Sequence, residues 1–432
     1  TAAAVFGRSL EPGPIALGRD CRGSSPVLHS AVLAGLTGTG RSVIDLGVCP
    51  TPTVALAIRS QSLAGGVMVT ASHNPPAWNG LKFFSHDGAA LGTVAAQRLR
   101  SALRSPRISW VRWDRTGKVI PDSKGIKDHI AQILTSPYFQ GRRRRRLKIG
   151  IDACNGSASL AAIELVRALG CRPHPLFCST DQNGRFPRRP EPEARHLSAL
   201  CEQVRREHLD LGAAFDPDGD RFSCVDERGE ALGEEATVMI ATEFILKQTA
   251  GPVVVNLSTT QGVEDIARRY GVPVYRSRVG EAAVIELMRQ KKAVVGGEGN
   301  GGTIVPAINW ARDGLVALAV VAQALSDTGT SLSSLAQSLP RYYMLKLKTN
   351  LPRDSWKVLV RRVLDQFPGA KVDVTDGLRL SLDGSWVHVR PSNTEPIVRI
   401  VSEAPTKSEC LRLVSAVRRG LDRSKNRQKV KQ

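Results

Sequence analysis

GGVMVTASHNP, Gly65 to Pro75, is a small apolar run that stops abruptly. A turn bearing two hydroxyls, an imidazole and an amide follows at once. A short apolar run bounded by turn residues reads as a buried strand and its end. The same punctuation recurs in PIALGRD (Pro14 to Asp20), LKIGIDACNG (Leu147 to Gly156), DLGAAFDPDGDR (Asp210 to Arg221), PVVVNLSTT (Pro252 to Thr260) and KKAVVGGEGNGG (Lys291 to Gly302). Helical stretches lie between them, over Ser159–Leu169, Glu234–Thr249 and Glu281–Gln290. Alternation of strand, loop and helix predicts α/β units.

After Tyr343 the texture changes. MLKLKTN, GLRLSLD, SWVHVRP and IVRIVSE alternate apolar and polar residues, as half-buried strands do. SWKVLVRRVLDQF and KSECLRLVSAVRRGL read as helices beside them. The expected fold class is therefore α/β, with α/β units of similar texture followed by an α+β domain. The expected boundaries are 1–141, 142–248, 249–343 and 344–432.

The 432 residues suit several domains at about 150 residues each. No apolar run approaches the roughly 20 residues of a membrane span. GLVALAVVAQAL (Gly314 to Leu325) is too short and fits a buried helix. The net charge is +20, but GRRRRRLK (Gly141 to Lys148) and the tail from Arg418 to Lys431 carry much of it. Such runs read as solvated linkers and tails. Aromatics are few and no nucleic-acid signature interleaves them, so attraction of anionic small molecules explains the charge as well. The eight cysteines show no CxxC and no zinc spacing, which suits reduced thiols in a cytoplasmic protein.

Four loops carry chemistry. In the first, Ser72 with His73 is a candidate nucleophile, although the G-x-S-x-G spacing of a hydrolase elbow is absent. In the second, Asp216, Asp218 and Asp220 form a hard-oxygen set suited to Mg²⁺ or Ca²⁺. An EF-hand is set aside because Arg221 stands where its glycine belongs and the flanks read as strands. In the third, Gly297 to Gly302 fits G-x-G-x-x-G, yet TIVPAINW opens no helix to bind a dinucleotide. A glycine turn presenting Glu298 and Asn300 to hydroxyls is the better reading. In the fourth, the backbone at Ser392, Asn393 and Thr394 suits an anion cup, with Arg390 and Arg399 adding charge. Nucleophile, metal, hydroxyl reader and phosphate cup, one per domain, imply phosphoryl transfer on a polyhydroxylated phosphate ester.

TASHNP, DPDGDR, GEGNGG and RPSNTEP, in this order, closely resemble the phosphoserine, metal, sugar-recognition and phosphate-binding loops of the α-D-phosphohexomutases. GRDCR (Gly18 to Arg22) and NGLKFF (Asn79 to Phe84) also resemble family segments. The resemblance covers nearly the whole chain and implies three consecutive related α/β domains with mixed sheets plus a smaller C-terminal α+β domain, around a central cleft. It implies interconversion of hexose 6-phosphate and hexose 1-phosphate through a phosphoserine at Ser72 and a sugar bisphosphate, which also serves as activator. It implies Mg²⁺ held by Ser72, Asp216, Asp218 and Asp220. It assigns proton transfer and charge stabilisation to His73 and Lys82, and support of the phosphoserine to Arg19 and Arg221. Glu298 and Asn300 are expected to hold sugar hydroxyls, and Arg390, Ser392, Asn393, Thr394 and Arg399 the non-reacting phosphate. SRVGE (Ser277 to Glu281) is expected to be a further substrate loop, and Thr70 and Asn74 to fix the turn at Ser72.

Two departures stand out. Asn300, Gly301 and Gly302 replace the serine, glycine and histidine of many members. The family's opening strand and glycine- and arginine-containing loop do not precede the helix AAAVFGRSL, so the first domain is expected to be a strand short and truncated. The expected enzyme is a phosphoglucosamine mutase or phosphomannomutase, a cytoplasmic monomer or homodimer. A non-catalytic sugar-phosphate-binding descendant and a basic nucleic-acid binder are the alternatives.

Overall fold

The structure, a computed structural model, describes residues 1–142, 145–181, 184–350, 356–392 and 397–428. The first sheet holds β1 (Ile15–Arg19), β2 (Val43–Val48), β3 (Gly65–Val69), β4 (Leu81–Ser85) and β5 (Val119–Pro121), in the order β4-β3-β1-β2-β5. Only β4 runs antiparallel. The second sheet holds β6 (Lys148–Asp152), β7 (Arg172–Phe177), β8 (Leu211–Phe215) and β9 (Phe222–Val225), in the order β7-β6-β8-β9. The third holds β10 (Val253–Asn256), β11 (Val274–Ser277), β12 (Val295–Glu298) and β13 (Gly302–Ile304), in the order β11-β10-β12-β13. The fourth is antiparallel, with β14 (Tyr343–Asn350), β15 (Lys371–Asp373), β16 (Leu378–Leu382), β17 (Ser385–Pro391) and β18 (Ile397–Ala404), in the order β14-β18-β17-β16-β15.

The first three sheets share one plan. The first strand lies between the second and third, and the fourth returns antiparallel to the third. In each, the turn from third to fourth strand carries one of the chemical loops: 70–80, 216–221 and 299–301. The fourth sheet carries its loop between β17 and β18. The strand expected to be missing leaves no gap in the shared order, because the first sheet has all four strands and β5 besides.

Helices on both faces explain the unbroken apolar strands. Along β3, Val67 and Val69 pack beside Phe6, Val32 and Leu36, while Met68 packs on the other side beside Val54 and Ile58. Gly66 permits this approach, since a Cβ there would stand 2.5 Å from Ile58. One core joins the second and third sheets through the helix Gly314–Thr328, whose residues 314–325 are all buried. That helix is the buried one expected, and no single described helix is long and apolar enough to cross a membrane. Sheet four is two-faced. Leu378, Leu380, Val387, Val389, Val398 and Ile400 pack on the helices Trp356–Leu364 and Lys407–Gln428, and the alternating residues His388, Arg390 and Arg399 share the opposite face.

Arg142 and Arg145 of the arginine run face solvent and are tied down as well. Half-buried Arg142 pairs with Asp327 at 2.6 Å and bonds Gln248, and exposed Arg145 donates to the Leu325 and Thr330 carbonyls. The basic tail continues as helix to Gln428.

Candidate active site

The Ser72 loop is built by residues from β1 and its following turn. Ser72 adopts φ 49, a left-handed conformation that costs a serine free energy unless the surroundings impose it. They do. Thr70 Oγ1 accepts the Ser72 amide at 2.9 Å and donates to Asp20 at 2.7 Å. Arg22, only 1% exposed, donates to the carbonyls of Ser72, Asn74, Pro75 and Trp78 and to Asp20. Thr70 thus fixes the turn as expected, while Asn74 contributes its carbonyl. Arg22 and Asp20 stand in the GRDCR segment, but nothing local in the sequence tells that they clamp a loop about fifty residues on.

Ser72 Oγ donates to Asp216 at 3.1 Å. Asp216, Asp218 and Asp220 are fully buried, and an oxygen from each lies within 4.8 Å of the others. Their polar surroundings are mostly cationic. Lys82 Nζ lies 2.6 Å from Asp218 and 2.8 Å from Asp220, Arg312 donates to Asp220 at 2.6 Å, and Thr51 donates to Asp218 at 2.5 Å. Burial, then Asp220 and Asp218, raise the Asp216 carboxyl well above its usual range. Burial opposes ionisation of Asp220 too, but Arg312 and Lys82 outweigh it and leave that carboxyl far below its usual value. Asp218 Oδ1 and Asp220 Oδ1 are buried without a hydrogen-bond partner. Hard carboxylate oxygens, two of them orphaned, fit a divalent cation. The flanks β8 and β9 are strands, so the loop is no EF-hand, as read.

Arg221 links the Asp216–Asp220 loop to the Ser72 loop. It donates to Glu191 at 2.5 Å and to His73 Nδ1 at 2.8 Å. An arginine only donates, so His73 Nδ1 is an acceptor and its proton sits on Nε2. The Arg221 charge, then burial, lowers His73 to about 4. Burial alone would lower Lys82, yet Asp218 and Asp220 raise it well above the ordinary lysine value. Lys82 is therefore an ammonium near neutral pH, while His73 is neutral with its proton on Nε2.

Arg312 is the connection that the sequence did not show. It bonds Asp220, donates through Nη1 to Glu298 at 2.8 Å, and faces Glu281 at 3.6 Å. Glu298 is buried and also accepts from Asn256 Nδ2 at 2.7 Å and the Gly280 amide at 2.8 Å. The next turn is pinned from both sides. Lys346 donates to the Gly299 carbonyl at 2.8 Å, and a Cβ on Gly299 would meet Glu235 at 2.0 Å. Burial pushes that Glu235 carboxyl up to about 7. Gly301, at φ +86, accepts the Phe222 amide at 3.0 Å, which joins the turn after Glu298 to the Asp216–Asp220 loop. Asn300 is half-buried at the tip.

On the fourth sheet, Arg390 and Arg399 are register partners across β17 and β18, and Lys348 on β14 faces Arg399. Like charges directly opposite repel, so this row suits an anion. Ser392 is buried, its amide donating to Ile397. Asn393 and Thr394 lie outside the described residues. Arg19 stands apart: its described hydrogen bond goes to the Asp20 carbonyl at 3.4 Å, and its charge acts on Asp45 and Cys49.

His388, on the same face as Arg390, joins the units. Its Nε2 donates to the Asp376 carbonyl at 2.6 Å and its Nδ1 accepts from Ser258 Oγ at 2.8 Å. Burial lowers it to about 4, against about 6.5 in an unfolded chain. The unfolded state binds the proton first, so this stabilisation is complete above about pH 6.5 and fades as pH falls towards 4. It amounts to roughly 3 kcal/mol at most. Denaturant titrations should show His388→Gln with a flatter loss of stability between pH 6.5 and 4 than the wild type. Parallel curves would contradict this.

Known proteins resemble the chain over nearly its whole length. Family models described as phosphoglucomutase/phosphomannomutase match in order: α/β/α domain I over residues 1–107, domain II over 127–229, domain III over 233–343 and the C-terminal domain over 355–420. A probable phosphoglucosamine mutase of Methanopyrus kandleri is 33% identical over 413 residues, covering 95% of this chain and 90% of its own. A phosphoglucomutase/phosphomannomutase of Thermococcus kodakarensis is 34% identical over 399 residues, covering 91% and 87%. A crystal structure of a phosphoglucomutase/phosphomannomutase family protein from Burkholderia thailandensis, 27% identical, matches with a TM-score of 0.85 over 98% of this chain and 93% of that one.

Proposed function

We propose, for a chain that belongs to the phosphoglucomutase/phosphomannomutase family, that it interconverts a hexose 6-phosphate and a hexose 1-phosphate through a phosphorylated Ser72 and a sugar bisphosphate. The family makes it a phosphohexomutase, an isomerase. The observation that carries the finer reading is the Ser72 hydroxyl, held in a left-handed turn 3.1 Å from one of three buried, converging aspartates.

In the first half-reaction the Ser72 Oγ–P bond breaks as a P–O bond forms to the sugar hydroxyl oxygen. The hydroxyl proton ends on Ser72 Oγ, so charge and atoms balance. After the bisphosphate turns end for end, the second half runs in reverse on the other phosphate. Asp216, Asp218, Asp220 and the Ser72 phosphate would hold Mg²⁺, which when bound supplies positive charge beside the moving phosphoryl. Lys82 adds a fixed positive charge between Asp218 and Asp220. His73 offers Nε2–H to a phosphoryl oxygen, and Arg221 keeps it in that tautomer. Glu298 and Asn300 hold sugar hydroxyls. Arg390, Arg399, Ser392, Asn393 and Thr394 hold the phosphate that is not reacting, and Arg19 lends longer-range charge. The domain ranges 1–141, 142–248, 249–343 and 344–432 belong to the same proposal. Among the described residues no two cysteines form a disulfide, which suits the reducing cytoplasm.

The test is a coupled assay with glucosamine, mannose and glucose phosphates, primed with sugar bisphosphate. The expected result is turnover of glucosamine or mannose phosphates. Chelation should lower it at least about 10³-fold, with restoration by Mg²⁺. Full activity after exhaustive chelation, or no turnover of any hexose phosphate, would contradict the reading.

A further inference from the structure

Glu298 and Arg390 stand on different units, yet one closed circuit of hydrogen bonds passes beside both. Glu298 Oε1 accepts the Gly280 amide at 2.8 Å. The preceding residue, Val279, donates its amide to Asp376 Oδ2 at 2.9 Å. The Asp376 carbonyl accepts His388 Nε2–H at 2.6 Å, and His388 Nδ1 accepts the Ser258 hydroxyl at 2.8 Å. The Ser258 amide donates to Asn256 Oδ1 at 2.8 Å, and Asn256 Nδ2 returns to Glu298 Oε1 at 2.7 Å. The side branch is Arg390, whose Nη1 lies 4.0 Å from Asp376 Oδ2.

We propose that Asn256, Ser258, His388 and Asp376 form a positioning circuit that fixes the aim of Glu298 relative to the seat of Arg390, so that a ligand's hydroxyls and its distal phosphate are read together. The inference deepens the functional reading above and rests on it for the ligand.

Three features support it. Two of the six links cross between the third and fourth units, Val279 to Asp376 and Ser258 to His388, so neither unit closes the circuit alone. Each link is short and buried or partly buried, where chained hydrogen bonds polarise one another and a missing partner is felt along the chain. The circuit is also not needed as glue. Glu403 separately joins the units by accepting from the Gln261 amide at 2.8 Å, and Trp386 Nε1 of its own sheet donates to the same oxygen at 2.8 Å. A substrate that must bind in two orientations needs its hydroxyl reader and phosphate seat at one fixed spacing in both. Coupling between two such sites is reciprocal, so phosphate on the fourth unit and hydroxyls on the third strengthen each other.

The experiment uses the full chain. Native-state amide exchange is followed at Val279 and Gly280 in the wild type, Ser258→Ala and Ser258→Thr, with no ligand present. Ser258 bonds neither amide. The circuit requires Ser258→Ala to speed exchange at both by about tenfold, and Ser258→Thr, which keeps the hydroxyl, to stay near wild type. Unchanged exchange in Ser258→Ala, or equal loosening throughout the fourth unit, overturns the proposal. Kinetics gives a second readout. Ser258→Ala should raise KM for the hexose phosphate about tenfold while leaving inhibition by inorganic phosphate unchanged; equal weakening of both would mean a merely structural residue. If the wild type turns over no hexose phosphate, the functional reading fails, and the exchange result still decides the circuit.

Discussion

Ser72→Ala will lose isomerase activity by about 10⁴-fold or more and keep its fold. The substitution removes one atom, the Oγ that donates to Asp216. The contacts that shape the loop remain, because Arg22 grips the Ser72 carbonyl and Thr70 holds its amide. Alanine tolerates the left-handed backbone at a cost of about 1 kcal/mol, too little to unfold the chain. Binding of hexose phosphate should persist, since the proposed hydroxyl and phosphate holders lie on other units. Loss of turnover with retained binding separates a phosphoryl carrier from a residue that only lines the cleft. Full activity in this variant would remove the mechanism.

Arg312→Met will cost more in stability than any other single change at the site. Arg312 faces Asp220, Glu298 and Glu281, all inside the protein. Methionine matches much of its volume but leaves these carboxylates short of a counter-charge. Breaking a buried ion pair by removing one partner typically costs about 3–5 kcal/mol. The variant should unfold at lower denaturant by that amount and show activity reduced at least about 100-fold, because both the metal loop and Glu298 lose a support. Saturating Mg²⁺ should restore part of the stability, since a cation among the aspartates replaces some of the lost charge. A variant as stable as the wild type would mean that the metal and sugar loops are not tied through Arg312.

Much of the fold was open to reading because strand ends are punctuated locally. GGVMVTASHNP and DLGAAFDPDGDR each announce a buried strand and a polar turn within about a dozen residues. The turns around Ser72, Asp216–Asp220 and Glu298 were found for that reason, and the structure brings these residues into one charged network. The common strand order of the first three sheets was only hinted at. It resides in which strands pair, and pairing over long range leaves no mark in a short window. The same limit hid Arg22, Arg312 and Asp376. Each acts on a loop distant in sequence, and an isolated arginine or aspartate reads as surface until its partners are known. His73 and Lys82 were found, but their roles needed neighbours. Arg221 makes His73 a neutral donor, and Asp218 with Asp220 keeps Lys82 charged. The arginine run from Gly141 reads as solvated charge, and its contacts with the third unit through Arg142 and Arg145 are again long-range pairings that no short window shows.

The claim at the centre is that a phosphoryl group rides on Ser72 Oγ and passes to the sugar. Full-length protein should be incubated with glucose 1,6-bisphosphate labelled in its phosphates, quenched, digested and mapped by mass. The account predicts label on Ser72 alone, chased off by unlabelled hexose monophosphate as fast as the enzyme turns over. Label absent from Ser72, or fixed there and not released by the sugar, would contradict it.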